Sequence, residues 1–476
     1  MMESKKITAV KNDLAPSKFS SPQKVHFISI GGAAMHNLAL EMNRKGCRVT
    51  GSDDQILDPS RSRLLSAGLL PEEEGWFPER ITRDLDAVIL GMHARSDNPE
   101  LKRAQELGLA VYSFPEFLYQ ETRNKRRIVI SGSHGKTTIT SIVLHVLKTA
   151  GKSFDYMVGA KIEGFHNMVG LDNHSKIAIF EGDEYLSSPI DRRPKFLLYQ
   201  PNIALISGIS WDHANVFPTT EIYQKQFEGL LEQMEPDGSV IYCEEDEELS
   251  SLIHSRNWKL DLEPYATHPH SIHNGKFYLD WNHEQIQTAI FGSHNMQNIA
   301  GARKICLKAG ISEQDFYQAI PGFRGAARRL ECLNQDSSTA IFNDFAHAPS
   351  KVKATIQAVS QLFPHRKLVA CLELHTFSSL SSEFLPQYRS TMDDADLPIV
   401  FFDPQTLIHK GLSPLSPSKV AAAFGRKDMH VFTSREELER FLKSQKWINC
   451  TLLLMSSGNF GGMDLPLLVK QVTALE

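Results

Sequence analysis

The stretch from Arg127 to Thr138 restricts the fold of this chain more than any other. Ile128, Val129 and Ile130 are apolar and β-branched, as a buried parallel strand requires. Gly132 and Gly135 follow, then Lys136, Thr137 and Thr138. Beyond them, Ile139, Ile142, Val143, Val146 and Leu147 fall on one face of an α-helix, and Gly151 stands where that helix would stop. The order is strand, glycine turn, helix. Glycines let such a turn close around a polyphosphate, and the helix N-terminus points unpaired N–H groups at it. Lys136 can then neutralise the outer phosphates, and Thr137 can hold Mg²⁺. The eight-residue form of this loop would carry glycine where Ile130 stands, so the pattern is a shortened Gly-x-x-Gly-Lys-Thr. A buried parallel strand feeding a helix commits the chain to an α/β fold.

At 476 residues, there is room for about three such units. Residues 1–23 are polar, lack a signal-peptide apolar core and read as a disordered lead-in. The first unit, 24–124, places a strand at Val25–Ile30, a helix through Met42, and strands at Arg48–Asp53 and Asp86–Gly91. The second, 125–322, contains the phosphate loop and strands at Lys176–Phe180 and Ile203–Ser207. The third, 323–476, has strands near Ala340–Asn343, Lys367–Glu373, Leu397–Phe402 and Thr451–Met455. A net charge of −5 with no long basic run speaks against a nucleic-acid partner. No apolar run reaches the ~20 residues needed to span a bilayer, so no membrane partner and a cytoplasmic location are expected. The six cysteines are scattered without a Cys-x-x-Cys pair, so neither a disulfide framework nor a zinc site follows.

Chemistry-bearing residues cluster after the strands. Gly31, Gly32, Ala33 and Ala34 follow the first strand and suit a pyrophosphate at a helix N-terminus, or a plain tight turn. Asp53 is placed to meet a ribose or uridine edge, or to cap a helix. Glu181, ahead of Asp183 and Glu184, sits where Mg²⁺ is held beside a phosphate loop. His213 could ligate a second Mg²⁺ or Mn²⁺. His294, Asn295 and Asn298 open a helix and could meet an adenine. Arg324, Arg328 and Arg329 flank Gly325 and could clamp a phosphate. Asp344 and His347, ahead of Pro349, could meet ribose or orient an amine. His268, His270 and His273 lack regular ligand spacing and read as an exposed loop.

In this order, the Gly-Lys-Thr-Thr loop, the Glu-x-Asp-Glu acid, Asp-His, Gly-x-His-Asn, Gly-x-x-Arg-Arg and Asp-x-Ala-His-x-Pro motifs resemble the Mur ligase family over residues 24–476. The resemblance implies a Rossmann-like UDP-binding domain, a central P-loop ATPase-type domain and a C-terminal doubly wound domain. It implies ATP contacts from Gly132, Ser133, His134, Gly135, Lys136, Thr137, Thr138, His294, Asn295, Asn298, Arg328, Arg329 and Asp344. It implies UDP-sugar contacts from Gly31, Gly32, Ala33, Ala34, Met35, Asp53 and His93, and Mg²⁺ or Mn²⁺ at Thr137, Glu181 and His213. Lys136, Glu181, His213, Arg328 and His347 would carry the catalytic roles.

The implied reaction is ATP-dependent ligation of an amine to UDP-N-acetylmuramate through an acyl phosphate, by a monomer or homodimer. Asp191-Arg-Arg-Pro-Lys-Phe196 and Met455-Ser-Ser-Gly-Asn-Phe-Gly-Gly462 are similar to members that take L-alanyl-γ-D-glutamyl-meso-diaminopimelate in peptidoglycan recycling. Leu374-His375-Thr-Phe-Ser-Ser379 looks closer to members that take L-alanine in peptidoglycan synthesis. Ser29 and Ala34 stand where L-alanine-taking members carry glycine, Ser133 replaces threonine, and Gly182 replaces alanine. A nucleotide-binding regulator without ligase activity is the alternative of another class.

Overall fold

Strand Lys24–Ile28 buries its last four residues and lies inside a four-stranded parallel sheet. The order is Arg48–Ser52, Lys24–Ile28, Ala87–Leu90, Val111–Ser113. The computed structural model describes residues 23–212, 216–273 and 276–473. Apart from Gln23, the lead-in expected at residues 1–23 lies outside them. The connection after Lys24–Ile28 runs to one edge of the sheet and that after Ala87–Leu90 to the other, which opens a crevice beyond the carboxyl ends of these two strands. Helix Ala33–Arg44 starts at that crevice.

The central sheet repeats this logic with seven strands. Its order is Asp261–Tyr265, Ser239–Cys243, Ile203–Ile206, Arg126–Ser131, Ile177–Glu181, Asp155–Met157, Val169–Gly170, with the last antiparallel. Arg126–Ser131, buried from Arg127 onward, has Ile177–Glu181 on one side and Ile203–Ile206 on the other. Three neighbouring strands therefore deliver the phosphate loop, Glu181 and the 207–212 segment to one edge. The third sheet runs Glu331–Gln335, Thr339–Asp344, Cys450–Met455, Lys367–Glu373, Leu397–Phe401, His430–Phe432 and is parallel except for its first strand.

One hydrophobic core runs continuously through all three sheets, joining Phe27, Ile128 and Phe342. Contacts across the unit boundaries are specific. The Phe291 and Phe342 rings meet edge-to-face at 5.4 Å, and Ala327 N donates to Lys161 O at 3.2 Å. Of the exposed loop expected at His268–His273, residues 270–273 are instead a strand, with Ile272 and His273 exposed as expected. His270–His273 is the first strand of a three-stranded antiparallel sheet with Lys276–Trp281 and Glu284–Thr288. His268 is buried and bonded to the Tyr317 hydroxyl at 2.6 Å. Five of the six cysteines are buried as free thiols, and Cys332 is exposed.

Candidate active site

The three carboxyl-end edges converge on a cavity of about 770 Å³ lined from every unit. Its phosphate-loop wall is built by local constraint. Gly132 has φ of +123° and Gly135 has φ of +76°, a region that side chains rarely adopt. A Cβ on Gly132 would lie 2.3 Å from Ser207 Oγ, and one on Gly135 would lie 2.2 Å from Asn298 Oδ1. Gly132, whose Cβ would also lie 2.7 Å from the backbone N of Ser207, therefore needs glycine for space as well as for dihedral angle, and Gly135 needs it for dihedral angle. Helix Lys136–Thr149 then begins with no side-chain cap, so its first N–H groups remain available to an anion. The Ser133 hydroxyl is buried with no hydrogen-bond partner among the described residues, which suits a phosphate oxygen.

Lys136 Nζ donates to Gly132 O at 2.6 Å and to Glu184 Oε2 at 2.7 Å. Burial disfavours its charge, but Glu184, Asp183 and Glu181 outweigh that and raise its pKa. Thr137 Oγ1 donates to Glu181 Oε1 at 2.7 Å, and Glu181 Oε2 accepts from Gly159 N at 2.7 Å. Thr137 and Glu181 thus offer adjacent hard oxygen donors. Mg²⁺ uses one or two such protein donors together with phosphate and water oxygens, so the pair fits that ion. Among the described residues no cluster of three or more His, Cys, Asp or Glu could hold a metal. His213, the expected ligand of a second ion, lies outside the described residues.

His134 is half-buried, and loss of solvation, with Lys351 and Lys136 nearby, pushes its pKa down to about 4. His294 is lowered by burial, partly offset by Asp344. Both line the cavity with Asn295 and Asn298. Asn295 Nδ2 donates to Phe291 O at 2.8 Å, while Asn298 Nδ2 donates to Asn295 Oδ1 at 3.2 Å.

The third unit supplies the opposite wall. Arg329 Nη2 donates to Thr137 Oγ1 at 3.1 Å and lines the cavity. Arg328 goes elsewhere. Its φ of +57° turns its side chain toward Ser456 O, at 3.0 Å, and Gly458 O, and it is not among the lining residues. Asp344 lines the cavity, but its oxygens accept from Leu330 N, Phe345 N and Thr355 Oγ1. His347 lines it too, with Nδ1 2.8 Å from Phe345 O. Lys351 Nζ reaches across to Asp212 Oδ2 at 3.3 Å.

At the far end, Gly32, Ala33, Ala34, Met35 and His93 line the cavity. Gly32 caps its helix without a side-chain bond, which again leaves an anion-binding N-terminus. Gly31 and Asp53 sit behind this wall. Asp53 Oδ2 accepts from Gly31 N at 2.7 Å, and burial raises its pKa to about 6. Asp53 therefore braces the turn and caps no helix. Ser29, at a position where the resemblance gives L-alanine-taking members a glycine, has φ of +67°, the conformation glycine adopts without cost.

Sequence reasoning singled out neither Lys195 nor Lys351 as a site residue, and both line the cavity. Lys195 lies within the Asp-Arg-Arg-Pro-Lys-Phe segment, the one signal that could have found it. Glu184 was quoted in its motif with no role; its pairing with Lys136 spans 48 residues.

Three family profiles match in chain order. They are described as Mur ligase family, catalytic domain (residues 24–126), Mur ligase middle domain (130–306) and Mur ligase, glutamate ligase domain (328–458). Among curated relatives, the chain is 25% identical over 459 residues to a UDP-N-acetylmuramate–L-alanine ligase of Carboxydothermus hydrogenoformans, covering 94% of this chain and 96% of that one. Among solved structures, a murein peptide ligase of Psychrobacter arcticus superposes with TM-score 0.66 at 21% identity, covering 94% of this chain and 99% of that one. A UDP-N-acetylmuramate–alanine ligase of Thermotoga maritima gives 0.67 at 20% identity, with 95% and 98% covered. The chain belongs to the Mur ligase family of ATP-dependent, amide-bond-forming ligases.

Proposed function

We propose that this ligase joins L-alanyl-γ-D-glutamyl-meso-diaminopimelate to UDP-N-acetylmuramate in peptidoglycan recycling. The observation that supports ligation of a sugar nucleotide at the expense of ATP is one cavity walled by an uncapped helix of the first unit, the phosphate loop of the second, and Arg329, His347 and Lys351 of the third. The first wall suits the diphosphate of the sugar nucleotide, and the second suits the ATP phosphates, with His294, Asn295 and Asn298 toward the base. The lactyl carboxylate attacks the γ-phosphorus and ADP leaves. The amine then attacks the acyl phosphate, and phosphate departs. Mg²⁺ bound at Thr137 and Glu181 would screen phosphate charge. Lys136 and Arg329 stabilise the charge that develops on the transferring group. His347 is placed to steer the amine or accept its proton.

The similarity of the Asp191–Phe196 and Met455–Gly462 segments to tripeptide-taking members supports this amine. L-Alanine is the second reading, favoured by the names of the curated relatives and by the Leu374–Ser379 segment. The test is phosphate release with ATP, Mg²⁺, UDP-N-acetylmuramate and one of L-alanine, dipeptide or tripeptide at matched concentration. Tripeptide should give the highest kcat/KM. Release with L-alanine alone overturns the tripeptide reading in favour of the second, and release with none of the three overturns both.

A further inference from the structure

Bringing the sugar-linked carboxylate to ATP requires two anions to approach one another, so a cation must stand at their meeting point. Four lysine and arginine side chains line the cavity among the described residues: Lys136, Lys195, Arg329 and Lys351. Lys136 lies within the phosphate loop, hydrogen-bonded to Gly132 O and Glu184. Arg329 and Lys351 come from the third unit and are directed at Thr137 and Asp212. Lys195 is placed differently, at the seam between the first unit and the phosphate-loop unit.

The backbone around Lys195 fixes it there. Residues 185–195 fold back on themselves, with Ser187 N donating to Arg193 O at 3.0 Å and Lys195 N donating to Tyr185 O at 3.0 Å. Arg193, two residues earlier, lies 4.0 Å from Glu116 Oε1 of the first unit. The other oxygen of Glu116 accepts from Ser113 N at 2.8 Å in the capping box of helix Phe114–Thr122, whose first residue lines the cavity. Glu116 thus places the Lys195 hairpin beside the first unit's wall, while Arg193 donates its main bonds to Asp191. Lys195 Nζ donates to Asp183 Oδ2 at 2.7 Å, two residues beyond Glu181. An ammonium carries three donors, so others remain for an incoming carboxylate.

We propose that Lys195 binds the lactyl carboxylate of the sugar nucleotide and sets the enzyme's preference for an acid over a neutral sugar nucleotide. This rests on the proposed function. The full chain, with a non-hydrolysable ATP analogue and Mg²⁺, is titrated calorimetrically with UDP-N-acetylmuramate and with UDP-N-acetylglucosamine, which has a hydroxyl in place of the lactyl ether. The wild type should prefer the acid by about tenfold or more, as a charge-assisted contact provides. Lys195→Met should abolish that preference while leaving UDP-N-acetylglucosamine affinity unchanged, and Lys195→Arg should restore part of it. A Lys195→Met variant that keeps the preference, or weakens both ligands equally, overturns the assignment and leaves the proposed function standing. A wild type that binds neither sugar nucleotide overturns the proposed function, and the assignment with it.

Discussion

Lys136 and Glu184 form an ion pair at 2.7 Å, with the Glu184 side chain fully buried and its other oxygen accepting from the Tyr223 hydroxyl at 3.0 Å. The phosphate-loop lysine is therefore held by a carboxylate 48 residues away before any nucleotide is considered. Removing it takes away the cation proposed to stabilise the transition state and strips a buried carboxylate of this partner. Lys136→Met should abolish ATP-dependent phosphate release and lower the unfolding free energy by roughly 3 kcal/mol. Lys136→Met combined with Glu184→Gln should regain most of the stability and none of the activity. Denaturant unfolding and coupled phosphate release on the three proteins check both halves. A double variant as unstable as the single one would mean that Glu184 is not the source of the loss.

Adjacent arginines should behave differently. Arg329 is largely desolvated, and burial lowers its pKa while Glu181 and Asp344 oppose that shift. Its guanidinium touches Thr137, so Arg329→Ala should cost about 10²–10³ in kcat. Arg328 braces the carbonyls of Ser456 and Gly458, so Arg328→Ala should raise KM for the amine and leave KM for ATP within about twofold. Steady-state kinetics with each substrate varied separates the two. Equal effects of both substitutions on ATP would place Arg328 at the phosphates after all.

His134 gives a pH dependence of stability. Its folded pKa of about 4 lies below the ordinary histidine value of 6.5 because desolvation disfavours the imidazolium, with Lys351 and Lys136 adding to the effect. Above 6.5, folded and unfolded chains are both neutral at this residue, and no penalty arises. Between 6.5 and about 4, the unfolded chain binds a proton that the folded chain refuses, so stability falls as pH falls. The loss from this residue is roughly 3 kcal/mol by pH 4. His134→Gln should flatten the stability–pH slope by up to one proton in that window, measured by urea unfolding of the nucleotide-free chain. An unchanged slope would remove His134 from the account.

The phosphate loop could be read in advance because everything that shapes it is local. Buried strand, left-handed glycines and helix start all lie between Arg126 and Thr149, and each leaves its mark in residue type. Edges of elements were less legible. The first strand ends at Ile28 rather than Ile30, because Ser29 turns into the left-handed region. Strands Glu331–Gln335 and His430–Phe432 escaped notice, since edge strands expose one side and lack a continuous apolar run. The His268–His273 segment was misread for a related reason. His270–His273 alternates weakly and owes its order to pairing with Lys276–Trp281, while Tyr317, far along the chain, buries His268.

The order of three α/β units and the seat of the phosphate loop follow from the sequence by itself, because periodicity, glycine placement and strand-end motifs act over a few residues. Which charged side chains face the cavity was decided only by the tertiary structure. Arg328 and Arg329 are the same residue type one position apart, and a backbone turn at Arg328 sends one outward to a loop and the other inward to Thr137. Lys195 enters the site because a hairpin folds back on itself beside Glu116 of another unit. Such choices depend on partners scores of residues away, and no local pattern encodes the energy of a contact that exists only once the sheets have met.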